Sequence, residues 1–386
     1  MSKQYISREL HVEMERLKTH FPVIVLTGPR QSGKTTLAKN LFPNYKYVDL
    51  TRATERNIIE TSPEDYLRQY AHGIIIDEAQ NWPEIFPYVK IVADDLPESN
   101  IILTGSNNFS LMEKVTESLA GRAATLALLP LSLHELGDEV AKLPTDTLLF
   151  NGGYPVVWAK NTPAADASRH YYNLYIERDV RKLLNVKDLS KFQIFIRLCA
   201  GRVGTEFNAQ SLSNEIGVSH HTIYHWLSIL EASYLVFRLP PFYQNIGKRL
   251  VKSPKIFFYD TAIICFLLGI ETIDQLKTHP QRGAIFENYV ILEFLKNRYN
   301  SGKSDNLFFY RDQSQREVDI VQQFGNTYNV YEIKSSVAFH SDFTTNMNYL
   351  KKLLGDTIQK RQVIYDGATD LEISENGIVN FRNIVF

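Results

Sequence analysis

The run Gly28-Pro29-Arg30-Gln31-Ser32-Gly33-Lys34-Thr35 follows directly on the apolar segment Val23–Thr27 and leads into a helical stretch, Thr36–Phe42. It matches G-x-x-x-x-G-K-[ST] without a gap. Few short sequences restrict a fold as strongly, because strand, glycine-rich turn and helix must come in that order for the chemistry to work. The glycines let backbone N–H groups wrap an anion, and the helix N-terminus adds partial positive charge. Gly28 to Thr36 are therefore the candidate set for the phosphates of ATP. Lys34 would reach the β- and γ-phosphates, and the Thr35 hydroxyl would ligate Mg²⁺.

Short apolar runs at Val23–Thr27, Tyr45–Leu50, Gly73–Asp77, Asn100–Gly105 and Ala123–Leu128 alternate with helical stretches. Strands spaced by helices in this way predict a parallel sheet covered on both faces. The third run, Ile74-Ile75-Ile76-Asp77-Glu78, ends in two carboxylates. Asp77 would hold the Mg²⁺ and Glu78 would polarise the attacking water. The next run ends Thr104-Gly105-Ser106-Asn107, so Ser106 or Asn107 is a candidate γ-phosphate sensor, the alternative being a simple turn cap. Arg122 begins another strand. It would reach the phosphate of a neighbouring subunit in a ring, or pair with a surface acid.

With 386 residues the chain is long enough for two or three compact units. Its 44% hydrophobic and 22% charged residues are the balance of a globular protein. A net charge of −1 leaves no long-range pull on nucleic acid, so any DNA contact has to come from a local basic patch. The two cysteines, Cys199 and Cys265, read as core residues in a reducing compartment. The first residues form no apolar signal core, and no apolar run approaches membrane-spanning length, which predicts a cytoplasmic protein.

The phosphate motif, Ile76-Asp77-Glu78-Ala79-Gln80, Leu103-Thr104-Gly105-Ser106, Ser118-Leu119-Ala120-Gly121-Arg122 and Pro130–Glu135 together resemble the prokaryotic AAA+-type ATPases. In these an ATPase precedes a C-terminal domain long labelled as of unknown function. Gly152-Gly153-Tyr154-Pro155 and Glu177-Arg178-Asp179 resemble that family's middle region. The resemblance covers nearly the whole chain and implies an ATPase often assumed to act on DNA.

Residues 188–240 read as helix, helix, turn, helix, strand, the outline of a helix-turn-helix with a β-wing at Tyr234–Leu239. Its second helix, from His220, carries three histidines and no Lys or Arg, so it would hold phosphate weakly. Lys248, Arg249, Lys252 and Lys255 follow with no acid among them. They form a candidate DNA-backbone-binding wing, or else an ordinary solvated loop.

In the last third, Arg316–Gln322 and Asn329–Ser335 form a hairpin if the chain turns at Gly325-Asn326. Ile320 then faces Tyr331 and Val318 faces Ile333, while Asp319 faces Glu332 on the other side, with Lys334 following Glu332. Opposed carboxylates repel by roughly 0.2–1 kcal/mol. A second Mg²⁺ or Mn²⁺ between Asp319 and Glu332 would reverse that sign, and Lys334 would stabilise a phosphoryl transition state. The layout is similar to the D…E-x-K of PD-(D/E)XK nucleases, and that resemblance implies Glu287, on the preceding helix, as a third acid. The motif's leading Pro is absent, Val318 standing in its place. Catalysis, a binding relic and a solvated strand face all remain open readings of these residues.

The expected architecture is a RecA-like AAA+ P-loop ATPase domain over 1–155, a helical linker with a winged-helix domain over 156–260, and a restriction-endonuclease-like α/β domain over 261–386. The expected function is ATP-driven processing or remodelling of DNA by a homo-oligomer. The alternative is a nucleotide-dependent switch that binds DNA or protein without cutting it.

Overall fold

The computed structural model describes residues 5–106, 115, 117–175, 189–242, 253–373 and 375–386. Five strands form the N-terminal sheet: β1 (Val23–Thr27), β2 (Lys46–Asp49), β3 (Ile74–Asp77), β4 (Ile101–Thr104) and β5 (Ala123–Ala127). They run in the order β2-β3-β4-β1-β5, and every pair is parallel. The five expected strands are all present, within two residues at each end.

Period-two alternation divides the side chains of this sheet between two layers. Ile24, Leu26, Ile75 and Ile102 pack against helices α1 (Leu10–Leu17) and α2 (Lys34–Leu41). Val23, Val25, Ile74, Ile76, Ile101 and Leu103 pack against the helix Ile85–Asp95 on the other face. With both faces covered, β1, β3 and β4 are buried along their whole length, as the strands of a parallel sheet are. Their carboxyl ends gather at one edge, which is where β1 passes into the glycine-rich turn.

Beyond residue 128 the larger of two apolar cores runs from Leu129 through Trp226 and Phe257 to Phe381, and a smaller one gathers Phe242, Val321, Val330 and Met347. Helices Leu189–Gly201, Ala209–Ile216 and His220–Ala232 precede a two-stranded antiparallel ladder of β6 (Val236–Leu239) and β7 (Lys255–Phe258). Ser219 caps the last of these helices, accepting the Thr222 N–H at 3.0 Å. The helix buries Ile223, Trp226 and Leu227 and leaves His220, His221 and His225 exposed.

A second sheet closes the chain: β8 (Leu307–Arg311), β9 (Glu317–Phe324), β10 (Thr327–Lys334), β11 (Ile358–Tyr365), β12 (Leu371–Ile373) and β13 (Asn376–Asn380), in the order β12-β13-β11-β10-β9-β8. The hairpin turns at Gly325-Asn326 in the expected register, with Thr327 opposite Phe324 and Tyr331 opposite Ile320. The long helix Arg282–Asn300 covers one face and the helix Thr345–Leu354 the other.

The long helix also docks on the N-terminal region. Buried Lys296 donates to the Leu131 carbonyl at 2.8 Å, and Glu293 accepts the Leu133 N–H at 2.8 Å. A second tie explains the double glycine at 152–153. The Asp260 carboxylate accepts the Gly153 N–H at 2.7 Å and approaches so closely that a Cβ on Gly152 would lie 2.4 Å from Oδ1. Among the described residues no helix is long and apolar enough to cross a membrane.

Candidate functional site

The glycine-rich turn leaves β1 at Thr27 and delivers Lys34 and Thr35 to the first turn of α2. At Gly28, φ is 136° and a Cβ would stand 2.2 Å from the Leu128 carbonyl oxygen, so only glycine fits. Lys34 is 6% exposed. Its ammonium donates to the carbonyls of Gly28 and Pro29, at 2.9 and 2.8 Å. Burial pulls its pKa down to about 8, although Glu78 and Asp77 pull the other way. The hydrogen bonds of this buried lysine thus go to neutral carbonyls.

The strand-end acids meet this turn from the side. The Thr35 hydroxyl donates to Asp77 Oδ2 at 2.8 Å, and the Tyr47 hydroxyl donates to the same oxygen at 2.7 Å. Thr104, at the end of β4, gives a third hydroxyl to Asp77 Oδ1. Glu78 sits in the left-handed region, with φ 54°, a conformation that costs a non-glycine residue energy and recurs where a side chain has to be aimed. Its Oε2 accepts from Ser106 at 3.3 Å and from Gln80. Of the two sensor candidates, Ser106 therefore reaches Glu78, while Asn107 lies outside the described residues.

A cleft of about 770 Å³ opens over the turn. Arg30, Gln31, Ser32, Gly33, Lys34, Thr35 and Thr36 line its floor, with Glu78 at one side. Tyr5 and Ile6 form another wall, and Pro155, Val156 and Lys160 a third. The second and third walls were not anticipated. Neither was Arg8, which is 3% exposed and bridges three elements. Its guanidinium donates to the Ser32 carbonyl at 2.7 Å, the Leu129 carbonyl at 2.6 Å and the Glu135 carboxylate at 2.9 Å. Glu135 is in turn locked by a capping box with Ser132. The charge pair fixes the N-terminal arm across the turn.

Arg122 pairs with Asp94 of its own chain through two hydrogen bonds, one of them NH2 to Oδ2 at 3.0 Å. The basic wing needs correction at Lys255. It begins the buried strand β7, is 2% exposed and cannot reach a DNA backbone. Lys248, Arg249 and Lys252, like the segment Glu177–Asp179, lie outside the described residues.

Around the C-terminal carboxylates the arrangement departs from a metal centre. Asp319 accepts the Ile333 N–H at 2.7 Å. Glu332 Oε1 pairs with Lys334 at 2.7 Å, while Glu332 Oε2 is buried with no hydrogen-bond partner among the described residues. Burial, then the proximity of Asp319, pushes the Glu332 carboxyl well above the usual range. Glu287 accepts from Lys255 at 3.1 Å, and burial lifts its carboxyl to about 7. Among the described residues no three His, Cys, Asp or Glu side chains are placed, as they stand, to hold a metal ion together.

Residues 20–137 match the family model described as an AAA domain. Residues 144–274 and 282–384 match two domains of unknown function, DUF8612 and DUF4143. Proteins of Mycobacterium tuberculosis and Mycobacterium bovis, each described as an uncharacterized protein, are 30% identical over 380 residues, covering 95% of this chain and 82% of theirs. A Haemophilus influenzae protein with the same description is 24% identical over 392 residues, 91% of this chain and 92% of that one. Among solved structures, the Walker-type ATPase of Pyrococcus abyssi is similar at 15% identity over 68% of this chain and 96% of that chain, with a TM-score of 0.47. With these relatives aligned along almost its whole length, the chain belongs to the family of P-loop proteins in which an AAA domain is followed by two domains of unknown function.

Proposed function

We propose that this protein binds ATP in the cleft above Gly28–Thr36 and hydrolyses it. The observation that carries the reading is the 2.8 Å contact between the Thr35 hydroxyl and Asp77, beside a buried Lys34 that has no carboxylate within hydrogen-bonding distance among the described residues. The phosphates would take the Lys34 ammonium from the carbonyls of Gly28 and Pro29. Backbone N–H groups from Pro29-flanking Arg30 to Thr36 would share the negative charge. Thr35 and Asp77 are two hard oxygen donors already side by side, which suits Mg²⁺. When bound, the ion would offset phosphate charge during transfer. Glu78, aimed by its backbone and held by Ser106 and Gln80, would orient a water and accept its proton. Tyr5, Ile6, Pro155 and Val156 supply the apolar wall suited to a base.

For the rest of the chain, the reading of DNA processing by a winged helix and a PD-(D/E)XK-like domain needs a metal among Glu287, Asp319 and Glu332. Lys255 stands against Glu287, with Asp319 close by. That observation favours the second reading, in which the nucleotide drives a switch and the C-terminal regions bind DNA or protein without cutting. Arg122 needs no neighbouring subunit to satisfy its charge.

Lys34→Ala tests the nucleotide reading. Loss of the ammonium is expected to lower ATP turnover at subsaturating ATP by at least about 100-fold, the worth of two charge-assisted hydrogen bonds. Turnover within twofold of the parent would remove the P-loop from the mechanism.

A further inference from the structure

Lys255 enters the C-terminal domain from outside it. The residue belongs to β7, whose ladder partner is β6, yet its side chain crosses to the acids of the second sheet and the long helix. Its ammonium lies 3.1 Å from Glu287 Oε1 and 2.5 Å from Glu317 Oε1. Asp319 is close enough to be among the charges that hold Lys255 protonated. Arg311 closes the group from its edge, pairing with Glu317 at 3.4 Å and Glu206 at 3.1 Å. Around this point Glu206, Glu287, Glu317, Asp319 and Glu332 are set against Lys255, Lys334 and Arg311, five acids against three cations.

A largely buried carboxylate cluster needs positive charge from some source, because charge held away from water without a partner is unfavourable. A divalent ion is one source and a tethered ammonium is another. The two exclude each other, since like charges at one point repel and the carboxylate oxygens are shared. An ammonium also differs in chemistry: it donates hydrogen bonds but cannot take a water as a ligand and acidify it.

We propose that Lys255 is a built-in cation that takes the place of a divalent metal among Glu287, Glu317 and Asp319, stapling the middle region to the C-terminal domain and closing that site to metal. The inference rests on the non-cutting reading of the C-terminal region and is independent of the ATPase reading. Removing Lys255 is then the way to turn the cluster into a cation site.

The probe is Mn²⁺, titrated into the nucleotide-free full chain and followed by the electron paramagnetic resonance signal of the free ion. For the wild type, uptake is expected to be weak and the same in Asp319→Asn. Lys255→Met is expected to bind Mn²⁺ at least about tenfold more tightly than the wild type, to be stabilised against heat by it, and to lose both effects when Asp319→Asn is added. Wild-type uptake that Asp319→Asn abolishes would overturn the proposal, as would folded Lys255→Met that binds no better than the wild type. If Lys255→Met does not fold, the comparison of wild type with Asp319→Asn decides: equal weak uptake supports the plug, and Asp319-dependent uptake refutes it. ATP turnover on the same wild-type sample reports the P-loop separately.

Discussion

Two buried lysines, Lys34 and Lys255, are 6% and 2% exposed, and the protein treats them in opposite ways. Burial depresses Lys34 to about 8, because its bonded partners are carbonyls and the acids Glu78 and Asp77 only partly compensate. Burial also works against the charge of Lys255, but Glu287, Asp319 and Glu317 outweigh it and raise that lysine above its ordinary range. The difference separates a receptor from a staple. Lys34 is charged at a cost and faces an open cleft, so an incoming anion gains what the fold has not supplied. Lys255 already has its anions.

The largest expected effect concerns a third buried cation, Arg8, which the comparison places with Lys255 rather than Lys34. Arg8→Met would leave the buried Glu135 carboxylate without its cation, held only by the Glu9 and Ser132 N–H groups, at a cost of about 3 kcal/mol of stability, read from urea unfolding. Arg8→Met with Glu135→Leu should recover most of that loss. Lys34→Met should not lower stability at all, and a loss as large as that of Arg8→Met would break the distinction between receptor and staple.

A smaller effect separates the two lysines by pH. With Lys34 near 8 in the free protein, nucleotide phosphates would return it toward its ordinary range. The bound state then holds more protons above pH 8, so affinity has to fall as pH rises. ATP affinity, followed with a fluorescent analogue, is expected to be flat from pH 7 to 7.5 and to decline toward about tenfold per pH unit above 8. A profile flat to pH 10 would place Lys34 with Lys255, charged regardless of ligand.

Local features carried far in the sequence. The five strands of the first sheet, the Ser219 cap and the register of the β9–β10 hairpin follow from apolar period, cap chemistry and a Gly-Asn turn, all of which act over a few residues. Contacts between distant residues left no such trace. Arg8 and Glu135 are 127 positions apart and belong to no shared period. Thr104 looked like a strand end, and its hydroxyl matters only because β4 lies beside β3. Lys255 was grouped with the basic residues before it, though the apolar Ile256-Phe257-Phe258 after it already marked the start of a buried strand. The basic run reads as a DNA-backbone-binding wing or a solvated loop, and the burial of one member depends on acids from Glu287 onward.

The account turns most directly on Glu78. In Glu78→Gln the side chain keeps its shape and loses its capacity to accept a proton, while Lys34, Thr35 and Asp77 are untouched. ATP binding measured at equilibrium should stay within about threefold of the parent, and the multiple-turnover rate should fall by roughly 10²- to 10⁴-fold, the usual worth of a general base. Turnover within a few-fold of the parent would contradict the assignment of Glu78 as the residue that activates water, and with it the proposed mechanism of hydrolysis.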